Sequence, residues 1–413
     1  LGVVAAEFDN VRHAWQWIVE TISRGREGLP VTTLLQQMAE VWTAYHLFKA
    51  LSLSGQALFG HATHVMEAAG WVANDGSRPA QPHQQAAWVH VRLYTGLFYQ
   101  EIGHYRTSLT IAEEALVICR SLNVEYDLVR ALLLYGHTQT RRGAYDAAIA
   151  TLQEALDLCR RLGWAAGCAE ALIGLGLTAS SQGHYAEAQT YLYEALALGQ
   201  ELGYQPWITR TLTILGTTCS RQRDYQWALP FYERALTIAQ AEGYQTQIMV
   251  LTSNLGGVQR GFGRYQLSVT SYERSLALAR SMSDRRWIAA NLNGIAITYL
   301  ELHDLTAAER ALREALTVAH HSESTPDTLG SISLLGHVLA RRGQMKMALR
   351  ALTFAEQHPS VMARDRLYNE PLLAELHSEL SVTFFDEATT WAAGQSLDEV
   401  VRWLEHSEVT VSQ

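Results

Sequence analysis

Hydrophobic residues recur along this chain at helical spacing, in stretches separated by short polar turns. Apolar residues three or four positions apart lie on one face of an α-helix. In one pair of stretches these positions are Val129, Leu132, Leu133 and Tyr135, followed by Ile149, Leu152, Leu156 and Cys159. Between them, Gly143 supplies the glycine that a tight helix-to-helix turn favours. The pattern predicts consecutive pairs of amphipathic helices.

The helix pair repeats with a fixed period of 40 residues. Residues 143–164, GAYDAAIATLQEALDLCRRLGW, return at 183–204 as GHYAEAQTYLYEALALGQELGY. A small residue recurs in the first helix of each copy, at Gly96, Gly136, Gly176, Gly216, Gly256, Ala296 and Gly336. A fixed period of this size indicates a solenoid of stacked helix pairs. We expect the small residue to let the two helices of a pair approach closely, with Tyr145 and Leu152 filling the gaps between neighbouring pairs.

The segment LLLYGHTQTRRGAYDAAIATLQEAL, residues 132–156, resembles the tetratricopeptide repeat. The resemblance extends over residues 84–358 in seven copies, each longer than the roughly 34 residues of the usual repeat. It implies an all-α fold, a right-handed superhelical solenoid of about seven to eight extended helix pairs with helical caps at both ends. In two later copies the glycine turns are replaced, by SMSD at 281–284 and LHDL at 302–305. We expect those copies to pack at a different angle.

The expected domain organisation has four parts. Residues 1–32 form an N-terminal linker and capping helix, 33–83 a divergent first helix pair and loop, 84–358 the seven repeats, and 359–413 the C-terminal capping helices. In the divergent pair, Ser54 and Gly55 are expected in the turn. Near the C-terminus, Ser396 and Glu399 have the spacing of a capping box. The helix that follows is expected to cap the exposed end of the stack.

Both ends of the chain resemble the sensor region of large bacterial regulatory ATPases. The opening EFDNVRHAWQW and the closing LLAELHSELSVTFFDEATTWAAGQSLDEVVRWLE carry this resemblance. It points to the C-terminal tetratricopeptide-repeat sensor of a STAND-type signal-transduction ATPase, of the maltose-activator or antibiotic-regulatory-protein type. It implies an effector that binds in the concave groove and relieves autoinhibition of an upstream nucleotide-binding domain. Because the chain begins at Leu1, we expect it to be a fragment of a longer protein.

Composition restricts the possible partners. The net charge of −9 argues against direct nucleic-acid binding, which depends on Lys and Arg that neutralise phosphates. No apolar run approaches the roughly 20 residues of a membrane span. The scattered cysteines, Cys119, Cys159, Cys168 and Cys219, form neither a disulfide framework nor a metal motif. We expect a cytoplasmic protein with buried thiols and no membrane partner.

Catalytic and cofactor motifs are not found in the sequence. There is no G-x-x-x-x-G-K-[ST] loop, so ATP is expected only in an upstream domain and no cofactor in this chain. The glycines of GLGLTAS at 174–180 fall inside a first helix, where a packing role explains them. His137 and His337 lack neighbouring Cys or His at ligand spacing, so no metal site is expected. No nucleophile stands beside a base, and the chain is expected not to be an enzyme.

The first helices are expected to line the concave groove of the solenoid. The groove positions carry more Arg than Glu, which favours a peptide, a protein or a small polar or anionic effector. The candidate binding residues are Arg130, His137, Arg141, Arg210, Thr213, Arg221, Ser253, Asn254, Arg260 and Asn293. The alternative is that these arginines are merely solvated or paired with Glu of the next repeat. For the whole chain, the alternative to a sensor module is a stand-alone adaptor or peptide-receptor scaffold.

Overall fold

The computed structural model describes residues 8–24, 29–48, 52–72, 81–321 and 325–406. Within these ranges all regular secondary structure is α-helical. The helices are α1 (Phe8–Ser23), α2 (Leu29–Phe48), α3 (Ser52–Ala68), α4 (Pro82–Glu101), α5 (Tyr105–Leu122), α6 (Glu125–Arg142), α7 (Tyr145–Leu162), α8 (Ala165–Gln182), α9 (Tyr185–Glu201), α10 (Gln205–Arg221), α11 (Tyr225–Glu242), α12 (Gln245–Gly261), α13 (Tyr265–Ser281), α14 (Arg285–Glu301), α15 (Leu305–His321), α16 (Thr325–Arg341), α17 (Met345–Gln357), α18 (Ala363–Glu379), α19 (Val382–Ala393) and α20 (Leu397–His406). The all-α expectation is confirmed.

The chain divides into two compact units, Leu1–Gln222 and Arg223–Gln413, here called unit 1 and unit 2. Inside each unit, consecutive helices pack against each other as antiparallel neighbours joined by short turns. The first helices of the pairs are the even-numbered helices α2 to α16, and the second helices are the odd-numbered α3 to α17. Each unit is therefore a stack of helix pairs, as the 40-residue period predicts.

The turns between helices use the left-handed backbone conformation. Gly143 ends α6 with a φ of 82°, and Asn123 ends α5 with a φ of 54°. The left-handed region is open to glycine and is tolerated by asparagine. Where the sequence lacks glycine, Ser283 and His303 adopt the same conformation, with φ of 55° and 58°. The turn geometry of the glycine copies is thus retained in the two divergent turns.

Small residues in the first helices make room for large side chains of the second helices. A Cβ placed on Gly136 would lie 2.6 Å from Leu152 Cγ, and one on Gly176 would lie 2.5 Å from Leu192 Cγ. Contacts this short are excluded, so glycine is required for the two helices to pack this closely. This confirms the packing role predicted for Gly136 and Leu152.

The divergent N-terminal pair differs from the expectation. Gly55 lies inside α3, not in a turn, and the segment between α2 and α3 falls outside the described residues. A Cβ on Gly55 would lie 2.5 Å from the ring of Phe98 in α4. Gly55 is therefore a packing residue like Gly136. Its small size was mistaken for a turn signal, because glycine serves both purposes.

The last three helices continue unit 2. Helix α18 packs on α16 and α17, α19 packs on α17, and α20 packs on α15. Ser396 and Glu399 form the predicted capping box, with Ser396 N donating to Glu399 Oε2 at 2.7 Å and Glu399 N to Ser396 Oγ at 3.3 Å. Arg313 of α15 donates to the carbonyl of Leu404 at 2.8 Å. The final helix is thus held against α15 by its C-terminal carbonyl groups.

Candidate binding faces on the first helices

The first helices form one continuous side of each unit. In unit 1, α2, α4, α6, α8 and α10 contact each other in sequence, and in unit 2 α12, α14, α16 and α18 do the same. In the described part of the repeats, consecutive second helices do not pack closely on one another. The first helices therefore lie on the narrower side of each stack. We call this side the first-helix face.

Arg130 belongs to a network of ion pairs in unit 1. Its guanidinium donates to Asp127 Oδ1 at 3.0 Å and to Glu40 Oε1 at 2.6 Å, and His90 Nδ1 lies 2.8 Å from the same Asp127 oxygen. Burial would raise the pKa of Asp127, but the His90 hydrogen bond and the Arg130 charge lower it. The indole of Trp164 lies 5.2 Å from the Arg130 guanidinium carbon. The charge of Arg130 is thus already matched within unit 1.

Arg210 is paired as well. It donates to Glu170 Oε2 at 2.8 Å, and the indole N–H of Trp207 donates to Glu170 Oε1 at 2.6 Å. Burial would raise the pKa of Glu170, but the positive charge of Arg210 keeps it below the usual value. Trp207 thus helps to fix the carboxylate that holds Arg210.

His137 lies beside this pair. Burial, with the nearby charges of Arg210 and Arg141, lowers the pKa of His137 to about 3, so the imidazole is neutral at pH 7. Its Nε2 is buried and has no hydrogen-bond partner among the described residues. The structure therefore brings four residues together here: the predicted site residues His137, Arg141 and Arg210, and Glu170.

Two further arginines of unit 1 have no carboxylate partner. Arg221 donates to Ser181 Oγ at 3.3 Å, and Arg141 is exposed without an ion pair among the described residues. Thr213 directs its hydroxyl to the carbonyl of Thr209 in its own helix, at 2.7 Å. Arg141 and Arg221 are thus the cations of this face that remain available, whereas the Thr213 hydroxyl proton is already used.

In unit 2, Arg260 of α12 lies near Tyr272, whose pKa burial raises and the Arg260 charge lowers. The Arg260 Nε is buried and lacks a partner among the described residues. Ser253 is buried and Asn254 is half-buried in the same helix, α12. Asn293, in α14, accepts a hydrogen bond from Ser331 Oγ at 3.1 Å. The sequence-predicted residues of unit 2 thus follow consecutive first helices, α12 and α14.

The end of the face in unit 2 carries residues that the sequence reasoning missed. Tyr368 of α18 packs on His337, with ring centres 4.5 Å apart. The next residue, Asn369, is fully buried, and its amide donates to Ser333 Oγ at 3.1 Å and to Glu356 Oε1 at 2.9 Å. Burial lowers the pKa of His337 to about 4. These residues lie after the last glycine of the repeat series, so the 40-residue register gave no signal for them.

The second-helix side shows a contrasting arrangement of charge. Arginines near the ends of second helices pair with glutamates one repeat further along, in the pairs Arg120–Glu154, Arg160–Glu194 and Arg280–Glu314. Pairing with Glu of the next repeat is also the alternative given for the arginines of the first-helix face. It is found there for Arg130 and Arg210 but, among the described residues, not for Arg141, Arg221 or Arg260.

The described residues contain neither a cluster of metal ligands nor a membrane-spanning helix. No group of three or more His, Cys, Asp or Glu residues there is placed to hold a metal ion. Nor does any described helix combine the length and the apolar character that crossing a bilayer requires.

The fold is that of an α-helical repeat protein built from stacked helix pairs. Models of the tetratricopeptide repeat match residues 129–161, 167–241 and 247–319. No curated protein matches the sequence. Similarity to known proteins therefore comes from these repeat models and from solved structures.

Solved structures with a similar fold include a Rap protein, a quorum sensor and a signal-transduction ATPase. A Rap protein complexed with Competence and Sporulation Factor is 13% identical with a TM-score of 0.59, over 89% of this chain and 99% of that one. The apo quorum sensor NprR from B. thuringiensis is 13% identical with a TM-score of 0.58, over 89% and 98%. A Signal Transduction ATPase with Numerous Domains from Pyrococcus horikoshii, which carries a tetratricopeptide-repeat sensor, is 12% identical with a TM-score of 0.51, over 87% and 51%.

Proposed function

We propose that this chain is a sensing module that binds a peptide or protein segment on its first-helix faces. One observation carries the proposal. Three arginines at one register of the second helices, Arg120, Arg160 and Arg280, are paired with glutamates of the next repeat. On the first-helix faces, Arg141, Arg221 and Arg260 have no carboxylate partner among the described residues. Guanidinium groups left without a partner are suited to bind carboxylates through paired N–H donors.

In the first version of this proposal, the module belongs to a STAND-type regulatory ATPase of the maltose-activator or antibiotic-regulatory-protein type. Effector binding then relieves autoinhibition of an upstream nucleotide-binding domain, which would hold the ATP. The resemblance at both ends of the chain and the likeness to the sensor-bearing ATPase support this version. A ligand that binds one arrangement of the stack better shifts the population toward that arrangement.

The second version is a stand-alone peptide receptor or adaptor. The alignment supports this version, because it covers 99% of the Rap protein complexed with Competence and Sporulation Factor and 98% of the quorum sensor NprR. The natural reading frame separates the two versions. An upstream G-x-x-x-x-G-K-[ST] loop would favour the ATPase, and a native start near Leu1 would favour the receptor.

An array of synthetic hexapeptides, with acidic residues in half of its members, tests binding on the face of unit 1. The variant Arg141→Gln/Arg221→Gln should bind the best peptides at least tenfold more weakly than the unaltered chain, because both unpaired cations of that face are lost. The variant Arg120→Gln/Arg160→Gln removes the same charge from the second-helix side and should bind as before. Equal losses in both variants would contradict the proposal, since they would reflect net charge alone.

A further inference from the structure

Two exposed tyrosines of unit 1 each lie against a tryptophan where the first helices begin. Tyr126, in the first turn of α6, meets Trp164 with ring centres 5.2 Å apart and planes inclined by 67°. Tyr204, directly before α10, meets Trp207 at 4.5 Å and 66°. Tyr126 is 50% exposed and Tyr204 is 45% exposed. We call these four residues the aromatic edge.

The repeat register does not require these rings. The positions equivalent to Tyr126 in the next two copies are Ala166 and Pro206, and Val124 stands one copy before Trp164. The stack of helix pairs therefore forms without an aromatic residue at these places. A contiguous apolar patch that packing does not explain is typical of a binding surface.

Both tryptophans are held in place by their surroundings. Trp207 donates to Glu170 Oε1 at 2.6 Å, and the guanidinium carbon of Arg130 lies 5.2 Å from the centre of the Trp164 ring. A Cβ on Gly167 would lie 2.7 Å from the same ring, so glycine lets the indole lie against the first turn of α8. Rings held in this way lose little conformational freedom when a ligand binds.

The two ring pairs have the spacing of a polyproline II helix. Trp164 and Tyr204 are one period apart, and each directly precedes a first helix, α8 or α10. One step between packed helices, about 8–10 Å, therefore separates them. A polyproline II helix repeats every three residues, or about 9 Å. Prolines three positions apart thus place one ring on each pair, and aromatic-lined surfaces are known receptors of such segments.

Charge distinguishes the two ends of the aromatic edge. Glu201, the last residue of α9, lies in sequence three positions before Tyr204 and is exposed without an ion pair among the described residues. At the other end, Glu125 beside Tyr126 is paired with Arg161 at 3.5 Å. A basic residue that flanks the prolines is therefore attracted to the Tyr204 end.

We propose that the aromatic edge binds a proline-rich segment of a partner protein in the polyproline II conformation, with prolines three residues apart and an Arg or Lys beside Glu201. The aromatic edge is separate from the unpaired arginines of the first-helix face. Tyr126 and Arg141 lie near opposite ends of α6, about 22 Å apart along its axis. The inference goes beyond the proposed function and does not depend on it.

Two synthetic octapeptides with blocked ends test the spacing by calorimetric titration of the full chain. Arg-Ala-Pro-Ala-Ala-Pro-Ala-Arg has its prolines three residues apart, whereas Arg-Ala-Ala-Pro-Ala-Pro-Ala-Arg has the same composition with prolines two apart. The first should bind about tenfold more tightly, because only it places a proline on each ring pair. Equal affinities, or no binding of either peptide, would overturn the proposal.

A third peptide, with Gln in place of both arginines, tests the role of Glu201. It should bind the unaltered chain severalfold more weakly than the first peptide. Glu201→Gln should bind these two peptides equally well, because the carboxylate that attracts the basic residue is lost. An unchanged preference for the arginine peptide in Glu201→Gln would contradict the assignment of the charge.

Variants assign binding of the first peptide to the rings. Tyr126→Ala and Tyr204→Ala should each lower the affinity about tenfold through the loss of one aromatic contact. Tyr193→Ala is the matched control, because Tyr193 is 51% exposed on α9, a second helix of the same unit, and it should bind as before. Arg141→Gln/Arg221→Gln should also bind as before. A loss of affinity in that variant would place the peptide on the first-helix face, and both tyrosine variants behaving like Tyr193→Ala would equally overturn the aromatic edge.

Discussion

Arg210 donates to Glu170 across 2.8 Å, and the two residues occupy consecutive first helices at positions one period apart. A solenoid places residues one period apart side by side, so a charge in one copy meets its complement in the next. On the second-helix side Arg120 likewise meets a glutamate of the next copy, Glu154, at 2.9 Å, although these two residues are 34 residues apart and do not occupy equivalent positions. The binding arginines proposed above are those where this complement is missing.

Loss of the Glu170 charge should destabilise unit 1 in a pH-dependent way. The pKa of Glu170 is lower in the folded chain than its usual 4.5, so its contribution is present above that pH and is lost as pH falls through the folded pKa. Glu170→Gln should lower the free energy of unfolding by about 1 kcal/mol at pH 7, since Arg210 is 41% exposed and partly screened. Calorimetry at pH 7 and below pH 4 measures the difference in free energy of unfolding between Glu170→Gln and the unaltered chain. This difference should become smaller on acidification.

The control for this change is Glu154→Gln, on the exposed pair with Arg120. Surface pairs of that kind contribute a few tenths of a kcal/mol, so its effect should be smaller. A Glu170→Gln difference that stayed constant from pH 7 to pH 3 would show that the carboxylate charge is not the source of the stabilisation.

His137→Leu should stabilise unit 1. The homologous position of the next copy is Leu177, so leucine fits this place in a first helix. Removing a buried nitrogen without a partner should raise the free energy of unfolding by about 1–2 kcal/mol at pH 7. The pKa of His137 is depressed from 6.5 to about 3, so the unfolded chain binds a proton in that window while the folded chain does not. The free energy of unfolding of the unaltered chain therefore decreases as the pH is lowered from 6.5 to about 3.

The pH slope separates this effect from simple packing. Across the window from 6.5 to 3, His137→Leu should remove up to about 1.4 kcal/mol per pH unit of the slope, measured by thermal unfolding at several pH values. His83→Leu, at an exposed histidine of α4, is the matched control and should leave the slope unchanged. The hypothesis fails if the two variants have the same slope.

The fold follows from the sequence because its information is periodic. The spacing of Gly136 and Leu152 is repeated by Gly176 and Leu192, and each pair makes the same contact in the structure. A single glycine outside the series is ambiguous, as Gly55 shows, because a packing glycine and a turn glycine look alike in sequence.

The candidate site is less predictable, since it depends on where periodicity breaks. The partner of Arg130, Glu40, is 90 residues away in a divergent copy, so sequence register does not relate them.

His303→Gly should stabilise unit 2. His303 holds a φ of 58° in the turn between α14 and α15, where the copies with regular turns have glycine. A left-handed conformation costs a residue with a Cβ roughly 1 kcal/mol or more, partly offset by the greater freedom of glycine when unfolded. The expected net gain is about 0.5–1 kcal/mol, measured as a higher denaturation midpoint. Gly143→Ala, at a φ of 82°, is the converse change and should destabilise unit 1; equal effects in both variants would exclude backbone strain.

Gly176→Ala should destabilise unit 1 by about 1–3 kcal/mol, because the new methyl group would lie 2.5 Å from Leu192 Cγ and 3.3 Å from the carbonyl oxygen of Ala188. Gly60→Ala, in α3, is the matched control: its nearest atom is a flexible side-chain nitrogen 3.7 Å away, so helix propensity should make it neutral or stabilising. Leu192→Ala alone leaves a cavity and costs about 2–5 kcal/mol. In the double variant the methyl group introduced by Gly176→Ala occupies part of that cavity, so denaturant unfolding should show a cost smaller than the sum of the two single costs. Strict additivity would mean that Gly176 and Leu192 do not share the space that sets the distance between the helices of a pair.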